Sequence, residues 1–323
     1  MNNIVSVVMT AFNVEDYVEE SIKSVLLQTE KNWELIIVDD ASTDRTLEIL
    51  KKYEIIDSRI TVIEHKKNKG AAEGRNTAIK NTNLNSKLVF ILDSDDKMLP
   101  ETLYEQKKFI NANPEASVAG CLAQYLNAKG EVFGKSSSSF YTRSDFDKLV
   151  KNRKNIGVGH TGVCFKKNIF NKLGGYDKSK RIVEDLDLWH RFVDNGYIIL
   201  VQKKVLVQYR IHSNSMVTEN FVKYYLAVEW EKKNRFINKD NLKKQSFEEY
   251  YNHFNNQNFL LKINLLRDIY AKKFRRDILL QMASKNYMGI LKNIILTFLL
   301  NPNLAFKTLI RLVDYIKYKI QKK

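Results

Sequence analysis

Four apolar runs, IVSVVMTAF, WELIIVDD, RITVIEH and KLVFILDSDD, punctuate the first 97 residues, and the stretches between them are helical in pattern. Strands that are apolar along their whole length must be covered on both faces, and helical connections between successive strands make them parallel. The first connection sets Val18, Ile22, Val25 and Leu26 at helical spacing. The second, STDRTLEILKKY, opens with a helix-start pattern, and its Leu47, Ile49 and Leu50 supply an apolar face. The third, GAAEGRNTAIKN, reads as a helix despite Gly74. The fold class is therefore α/β, with a mixed, mainly parallel sheet flanked by helices. Ligands of such sheets sit beyond the carboxyl ends of the strands. Acids fall at three of those ends: Asp39 and Asp40, then Glu64, then Asp93, Asp95 and Asp96.

With 323 residues there is room for one large domain and a smaller one, and 44% apolar content supports a sizeable core. Cys121 and Cys164 show neither a close partner nor metal-ligand spacing, which indicates a reducing compartment and no disulfide. The opening MNNIVSVVMTAFN lacks the basic-then-apolar pattern of a signal peptide. No window reaches the roughly 18 to 20 uninterrupted apolar residues that a spanning helix needs. The expectation is a cytoplasmic protein. The net charge of +16 is uneven: residues 213–323 hold 21 Lys and Arg against 9 Asp and Glu, while the rest hold 32 against 28. A basic C-terminal third suits an anionic partner.

From about 100 to 212 short strands (ASVAGCLAQYL, EVFGK, IILVQKKVLVQYRI) alternate with short helices, and the serines at 136–139 read as a loop. Beyond 215 the chain is rich in Lys, Asn and large apolar residues with almost no glycine, which predicts a helical appendage over 215–323. No internal repeat recurs at a fixed period.

Side chains at i and i+2 of a strand end share a face, so Asp93 and Asp95 can present carboxylates together. A divalent cation, Mg²⁺ or Mn²⁺, satisfies such a pair and leaves positions for substrate phosphates. Asp96 would then cap a helix starting near Leu99. The alternative makes all three solvated turn and cap residues. Asp39 is expected to be a solvated acid ahead of a helix. EDLDLWHRFVDNG reads as a helix closed by Asn195 and Gly196, and Glu184 and Asp185 in its first turn have their ionised forms favoured by the helix dipole.

SVVMTAFNVEDYVEESIKSVLLQTEKNWELIIVDDASTD, NKGAAEGRN, LDSDD, GGYD, EDLDLWHRF and YRIH follow one another here in the order found in family 2 glycosyltransferases, which the chain resembles over roughly residues 3–214. The resemblance implies a GT-A fold and a nucleotide-sugar donor, with a catalytic domain over 1–214 that binds nucleotide with 1–97 and acceptor with 98–214. It implies that Thr10, Ala11 and Phe12 line the nucleotide and that Asp40 accepts a hydrogen bond from uracil, so that the donor is a UDP-sugar. Asn68 and Arg75 match positions facing the base and diphosphate, Asp93 the ribose acid, Asp95 the metal acid, and His212 a histidine that reaches metal or diphosphate. Asp185 matches the base that takes a proton from the acceptor hydroxyl, with Glu184 supporting it and Trp189 on the acceptor side. Attack from the face opposite the departing nucleotide inverts the anomeric centre. The acceptor would be a saccharide, carried on a polyprenyl diphosphate in many such bacterial enzymes and destined for a surface polysaccharide. For Arg75 and His212 the competing reading is structural, a surface ion pair and a strand-end histidine.

The C-terminal stretch from Tyr287 to Lys323 spaces apolar residues at three and four with Lys and Arg between, broken at Asn301-Pro302. One reading packs the apolar faces inward and exposes the charges. A second makes the helices a peripheral membrane contact whose lysines meet anionic lipid on the inner face of the cell membrane. A third makes them a homodimer interface. A nucleic-acid binder is disfavoured, because the positive charge shows no helix-turn-helix or basic-zipper pattern. A nucleotide-sugar hydrolase would not need the EDLDLW helix.

Overall fold

The structure, a computed structural model, describes residues 4–212, 215, 220–237, 245–283, 286–306 and 308–309. It forms two compact units, one of residues 1–124 and 135–209 and one of residues 125–134 and 210–323.

In the first unit the four expected strands are β1 (Val5–Ala11), β2 (Trp33–Asp39), β3 (Ile60–Glu64) and β4 (Leu88–Ile91). They are joined by α1 (Val18–Leu26), α2 (Thr46–Ile56) and α3 (Ala71–Lys80). All pair in parallel, in the order β3-β2-β1-β4. The chain builds outward from β1 to β3, then crosses back through α3 to place β4 on the other side of β1. That reversal opens a crevice between the carboxyl ends of β1 and β4, where ligands of such sheets bind. Beyond β4 the sheet continues with β8 (Cys164–Lys166), β6 (Ala116–Leu126), β9 (Ile198–Arg210) and the two-residue β5 (Lys97–Met98). The pairings β4–β8, β6–β8 and β5–β9 are antiparallel.

Alternation along the strands sorts side chains onto two cores. Val5, Val7 and Met9 of β1 and Leu35 and Ile37 of β2 pack against α1, α2 and α4 (Thr102–Ala112). Val8, Ile36 and Val38 face α3 together with α5 (Arg143–Lys151), α6 (Lys167–Lys172) and α7 (Glu184–Asp194). Cys121 and Cys164 are both free thiols.

The second unit begins with the turn between β6 and β7 (Val132–Lys135), where the Ile211 N–H donates to the Leu126 carbonyl at 2.8 Å. Arg210 is buried and its Nη1 reaches the carbonyls of Asn127 at 3.3 Å and Ala128 at 3.2 Å. These bonds group 125–134 with the C-terminal region, whereas the sequence boundary at 214 left that turn with the catalytic part. Three helices, α8 (Phe221–Ile237), α9 (Phe247–Asn256) and α10 (Phe259–Ala283), share a core of Phe221, Leu226, Trp230, Tyr250, Phe254 and Ile269. The last labelled element, α11 (Tyr287–Leu300), ends before Asn301-Pro302, as the sequence predicts. No described helix is long and apolar enough to cross a membrane. Residues 310–323, the end of the expected basic tail, lie outside the described residues.

Gly74 explains how a helix can lie against β1. A Cβ there would fall 2.4 Å from Thr10 Cγ2 and 2.8 Å from its Oγ1. Gly74→Ala gains helix propensity of about 1 kcal/mol but forces that contact apart at roughly 1–3 kcal/mol. A lower urea midpoint for Gly74→Ala, restored when Thr10→Ala is added, is the expected result. An unchanged midpoint in the single variant would mean that Thr10 turns away freely.

Candidate functional site

The site is built where β4 gives out. Thr161 lies across the end of this strand: its Oγ1 accepts from the Asp93 N–H at 3.2 Å and sits 3.1 Å from Asp93 Oδ2 and 2.5 Å from Asp96 Oδ2. A hydroxyl has one proton, so Thr161 donates to only one of these two carboxylates at a time. Asp96 is fully buried, and its backbone carbonyl accepts from Ser21 Oγ at 2.6 Å. It does not cap a helix as expected, because the chain runs on into β5 and α4 begins only at Thr102.

Arg75 reaches this turn from α3. Its Nη2 donates to Asp93 Oδ1 at 2.8 Å and its Nη1 to Glu184 Oε1 at 2.6 Å. Arg75 is only 9% exposed. Burial works against the cation, but Asp93 and Glu184 outweigh it and hold Arg75 firmly protonated. Burial would also raise Asp93, yet Arg75 and then His160 hold its carboxyl well below the usual range. Asp185, next to Glu184, goes the other way: burial and the Glu184 charge push it up. Its Oδ1 accepts from the Leu186 N–H at 2.7 Å. Val183, the residue before α7, has φ +60°. A β-branched residue in this left-handed region is strained, and such strain persists only where surrounding contacts dictate it. Here the Glu184–Arg75 pair fixes the start of the helix.

Three further groups complete the cluster. His160 places Nδ1 3.3 Å from Asp93 Oδ1 and Nε2 2.9 Å from the Tyr176 hydroxyl. Asn76 clamps Tyr176 through its backbone, donating to the carbonyl at 2.8 Å and accepting from the N–H at 2.9 Å. Gly175 makes room for the clamp: its φ is +75°, and a Cβ would sit 2.7 Å from Asn76 Oδ1. Burial pushes the Tyr176 phenol upward, so it stays protonated. His160 and Thr161 escape sequence reasoning, and Asn76 and Tyr176 are seen there only as letters in NKGAAEGRN and GGYD.

The remaining expected residues divide. Phe12 is 44% exposed just past the end of β1. Ala11 is fully buried, so it offers a ligand only backbone, and its carbonyl already accepts from the Asp40 N–H. Thr10 lies against α3, as the close approach of Gly74 requires. Asp39 is buried, not solvated, and caps the following turn by accepting from the Ser42 N–H at 3.1 Å. Asp40 is occupied by its own chain. It accepts from the Lys69 N–H on both oxygens, from the Gly70 N–H at 2.7 Å, and stands 2.7 Å from His65 Nδ1. The acceptor capacity expected for a uracil ring is thus spent on fixing the 65–70 loop, because the end of β2 points this side chain toward α3. Asn68 is exposed on that loop. Trp189 is 1% exposed among Phe165, Phe192 and His160, so it is core and not an acceptor platform. His212 is buried just past β9, in the C-terminal unit and not in the unit carrying Asp93 and Asp95.

Among the described residues no group of three His, Cys, Asp or Glu side chains stands together as a metal cage. A Mg²⁺-like ion asks less of the protein, one or two carboxylates with substrate phosphates completing its shell. The half-buried Asp95 meets that smaller requirement. Asp93 has Arg75 as its counter-charge.

The family model described as Glycosyl transferase family 2 matches residues 6–174. The putative teichuronic acid biosynthesis glycosyltransferase TuaG of Bacillus subtilis is 33% identical over 215 residues, covering 66% of this chain and 81% of its own. The UDP-Glc:alpha-D-GlcNAc-diphosphoundecaprenol beta-1,3-glucosyltransferase WfgD of Escherichia coli is 31% identical over 219 residues, covering 68% and 81%. Among solved structures, S. aureus TarS 1-349 in complex with UDP-GlcNAc superposes with a TM-score of 0.57 at 18% identity, over 91% of this chain and 90% of that one.

Removing Arg75 tests the electrostatics. Arg75→Gln leaves Asp93 and Glu184 buried together without a cation, and breaking a buried pair costs roughly 3–5 kcal/mol. In the parent, the lowered Asp93 contributes stability that is present above the usual carboxylate pKa and lost only as pH falls through the lowered value. In the variant, protonation relieves the repulsion. The stability gap, read by urea unfolding, is therefore expected to be widest near pH 7 and to shrink toward about pH 4. A gap independent of pH would remove the charge argument.

Proposed function

This chain belongs to glycosyl transferase family 2 and is a glycosyltransferase, and from that premise we propose that it moves a sugar from a UDP-sugar to a hydroxyl of a saccharide acceptor, with inversion at the anomeric carbon. The observation that carries the reading is the divergence of two neighbouring carboxylates around Arg75. Asp93 is held ionised by its cation, while Asp185 is raised by burial and by Glu184. A general base works best when its pKa lies nearer the operating pH, which favours Asp185 as the group that takes the acceptor proton during attack. Glu184, fixed to Arg75, holds the first turn of α7 in place.

On the donor side, the exposed ring of Phe12 suits stacking on a base, and Asn68 lies on the loop that Asp40 fixes. Arg75 would offset charge on the departing diphosphate, and Mn²⁺ or Mg²⁺ held by Asp95 would supply the same stabilisation when bound. The relatives favour a UDP donor and a place in bacterial surface polysaccharide synthesis: WfgD acts with UDP-Glc on a diphosphoundecaprenol-linked sugar, and TarS is seen with UDP-GlcNAc. An acceptor on a lipid diphosphate would put the enzyme at the inner face of the cell membrane.

UDP with Mn²⁺ should raise the melting temperature, because a ligand bound only by the native state stabilises it by mass action. Asp95→Ala should abolish most of the metal-dependent part and leave the melting temperature without UDP unchanged. Parental behaviour in that variant would sink Asp95 as the ion's ligand.

Asp185→Asn keeps the shape of the side chain but cannot accept the proton, so single-turnover transfer should fall about 10²- to 10⁴-fold with UDP affinity intact. The parent's rate should rise with pH through a carboxylate pKa above the ordinary value, since the base must be ionised. Glu184→Gln removes one of the causes that raise Asp185, so its acid limb should move to lower pH. Near-parental transfer by Asp185→Asn would leave Asp185 as part of the helix start only.

A further inference from the structure

Helix α11 is inside out. Its sequence, YMGILKNIILTFLL, is apolar nearly all the way round. Its buried residues are Asn293 and Thr297, and with Gly289 they fall at i, i+4 and i+8 on the side packed against α10. Gly289 permits a close approach there, since a Cβ would meet Gln281 Oε1 at 2.0 Å. Asn301 Nδ2 closes the end of the helix onto Asp268 of α10 at 2.9 Å. The opposite side carries Met288, Leu291, Ile295, Phe298 and Leu299, all exposed, with Met288 at 78% and Leu299 at 69%. Lys292 is exposed at the margin of this stripe. Of the three readings of the sequence, the one that packs the large apolar faces inward does not hold for α11: the small and polar residues face the neighbouring helix and the large apolar ones face out.

Contiguous apolar surface of this kind marks an interaction site. Fourteen residues at about 1.5 Å each give roughly 21 Å, short of the ~30 Å hydrocarbon core, so α11 cannot span a bilayer. The charge of the two packed helices identifies what covers it. Helices α10 and α11 together hold seven Lys and Arg against two Asp and no Glu. A second copy of the chain would match the apolar stripe but bring the same excess of positive charge against it. An anionic lipid surface supplies both an apolar layer for the stripe and negative head groups for the cations.

We propose that the outer face of α11 beds into the surface of an anionic phospholipid bilayer, with the helix lying in the plane of the interface. The large apolar side chains supply the anchoring and the lysines and arginines the preference for acidic lipid. This inference does not depend on the identity of the sugar or of the base.

The test is co-flotation of the full-length chain with vesicles of phosphatidylcholine alone and of phosphatidylcholine mixed with phosphatidylglycerol. The parent should float with the mixed vesicles and far less with the neutral ones. Leu291→Ser, Ile295→Ser and Phe298→Ser together remove exposed side chains only, so the fold and the UDP-induced thermal shift should be kept. At about 0.8 kcal/mol per buried CH₂, partition of this triple variant should fall more than about a hundredfold. Parental flotation by the triple variant would overturn the proposal, as would equal binding to both vesicle types. A parent that elutes as a dimer, with the triple variant a monomer that floats as well as the parent, would assign the stripe to self-association instead.

Discussion

A guanidinium buried between two carboxylates organises the catalytic unit. Moving either sign of charge out of water costs several kcal/mol per ion, and the cost is offset only when geometry and hydrogen bonding are good. Arg75 meets that condition by giving one nitrogen to Asp93 at 2.8 Å and another to Glu184 at 2.6 Å. Its partners lie 18 and 109 residues away along the chain. The pair therefore locks the end of β4, the second turn of α3 and the first turn of α7 together. Gly74, one residue before Arg75, is what lets α3 come near enough to β1 for the arginine to reach.

That lock explains other features that look unfavourable alone. Val183 sits in a left-handed conformation that costs of order 1–3 kcal/mol, yet it delivers Glu184 to the arginine and leaves Asp185 beside it. Thr161 and His160, in the loop before β8, close the far side of Asp93. Tyr176 then ties His160 back to α3 through the Asn76 clamp. Each member is held by another member, so the first turn of α7 is defined by side chains from four separate segments.

The repeating units of the fold were legible because periodicity is local. Continuous apolar strands with helical connections predict the parallel β3-β2-β1-β4 arrangement, and the strand expected in ASVAGCLAQYL coincides with β6 at Ala116–Leu126. What escaped was set by partners distant in sequence. Asp39 looks like a solvated acid, but nothing in its neighbourhood reveals that the end of β2 is covered. Asp40 looks like a ligand contact, but the Lys69 and Gly70 N–H groups lie 29 and 30 residues on and reach it only once α3 has docked. Trp189 shares a helix with Glu184 and Asp185, yet its place on the wheel points it into the core. The same limit applied to α11, whose apolar periodicity is plain while the side turned inward depends on Gly289, Asn293 and Thr297 meeting α10.

The carboxylates at the site carry the final step of the argument. Asp93, Glu184 and Asp185 have similar intrinsic acidity and crowd one small volume, so identical environments would make each a poor base and a poor binding group. Arg75 breaks the symmetry. It pairs with Asp93 and Glu184 and holds Asp93 well below the usual range, while burial and the neighbouring Glu184 raise Asp185 against the opposing pull of His160 and Arg75. Two neighbouring acids whose environments drive their proton affinities apart are how one site assigns binding to one group and proton transfer to another. The cation that ties these segments together thus also separates the acid it pairs with, Asp93, from the acid that burial raises, Asp185.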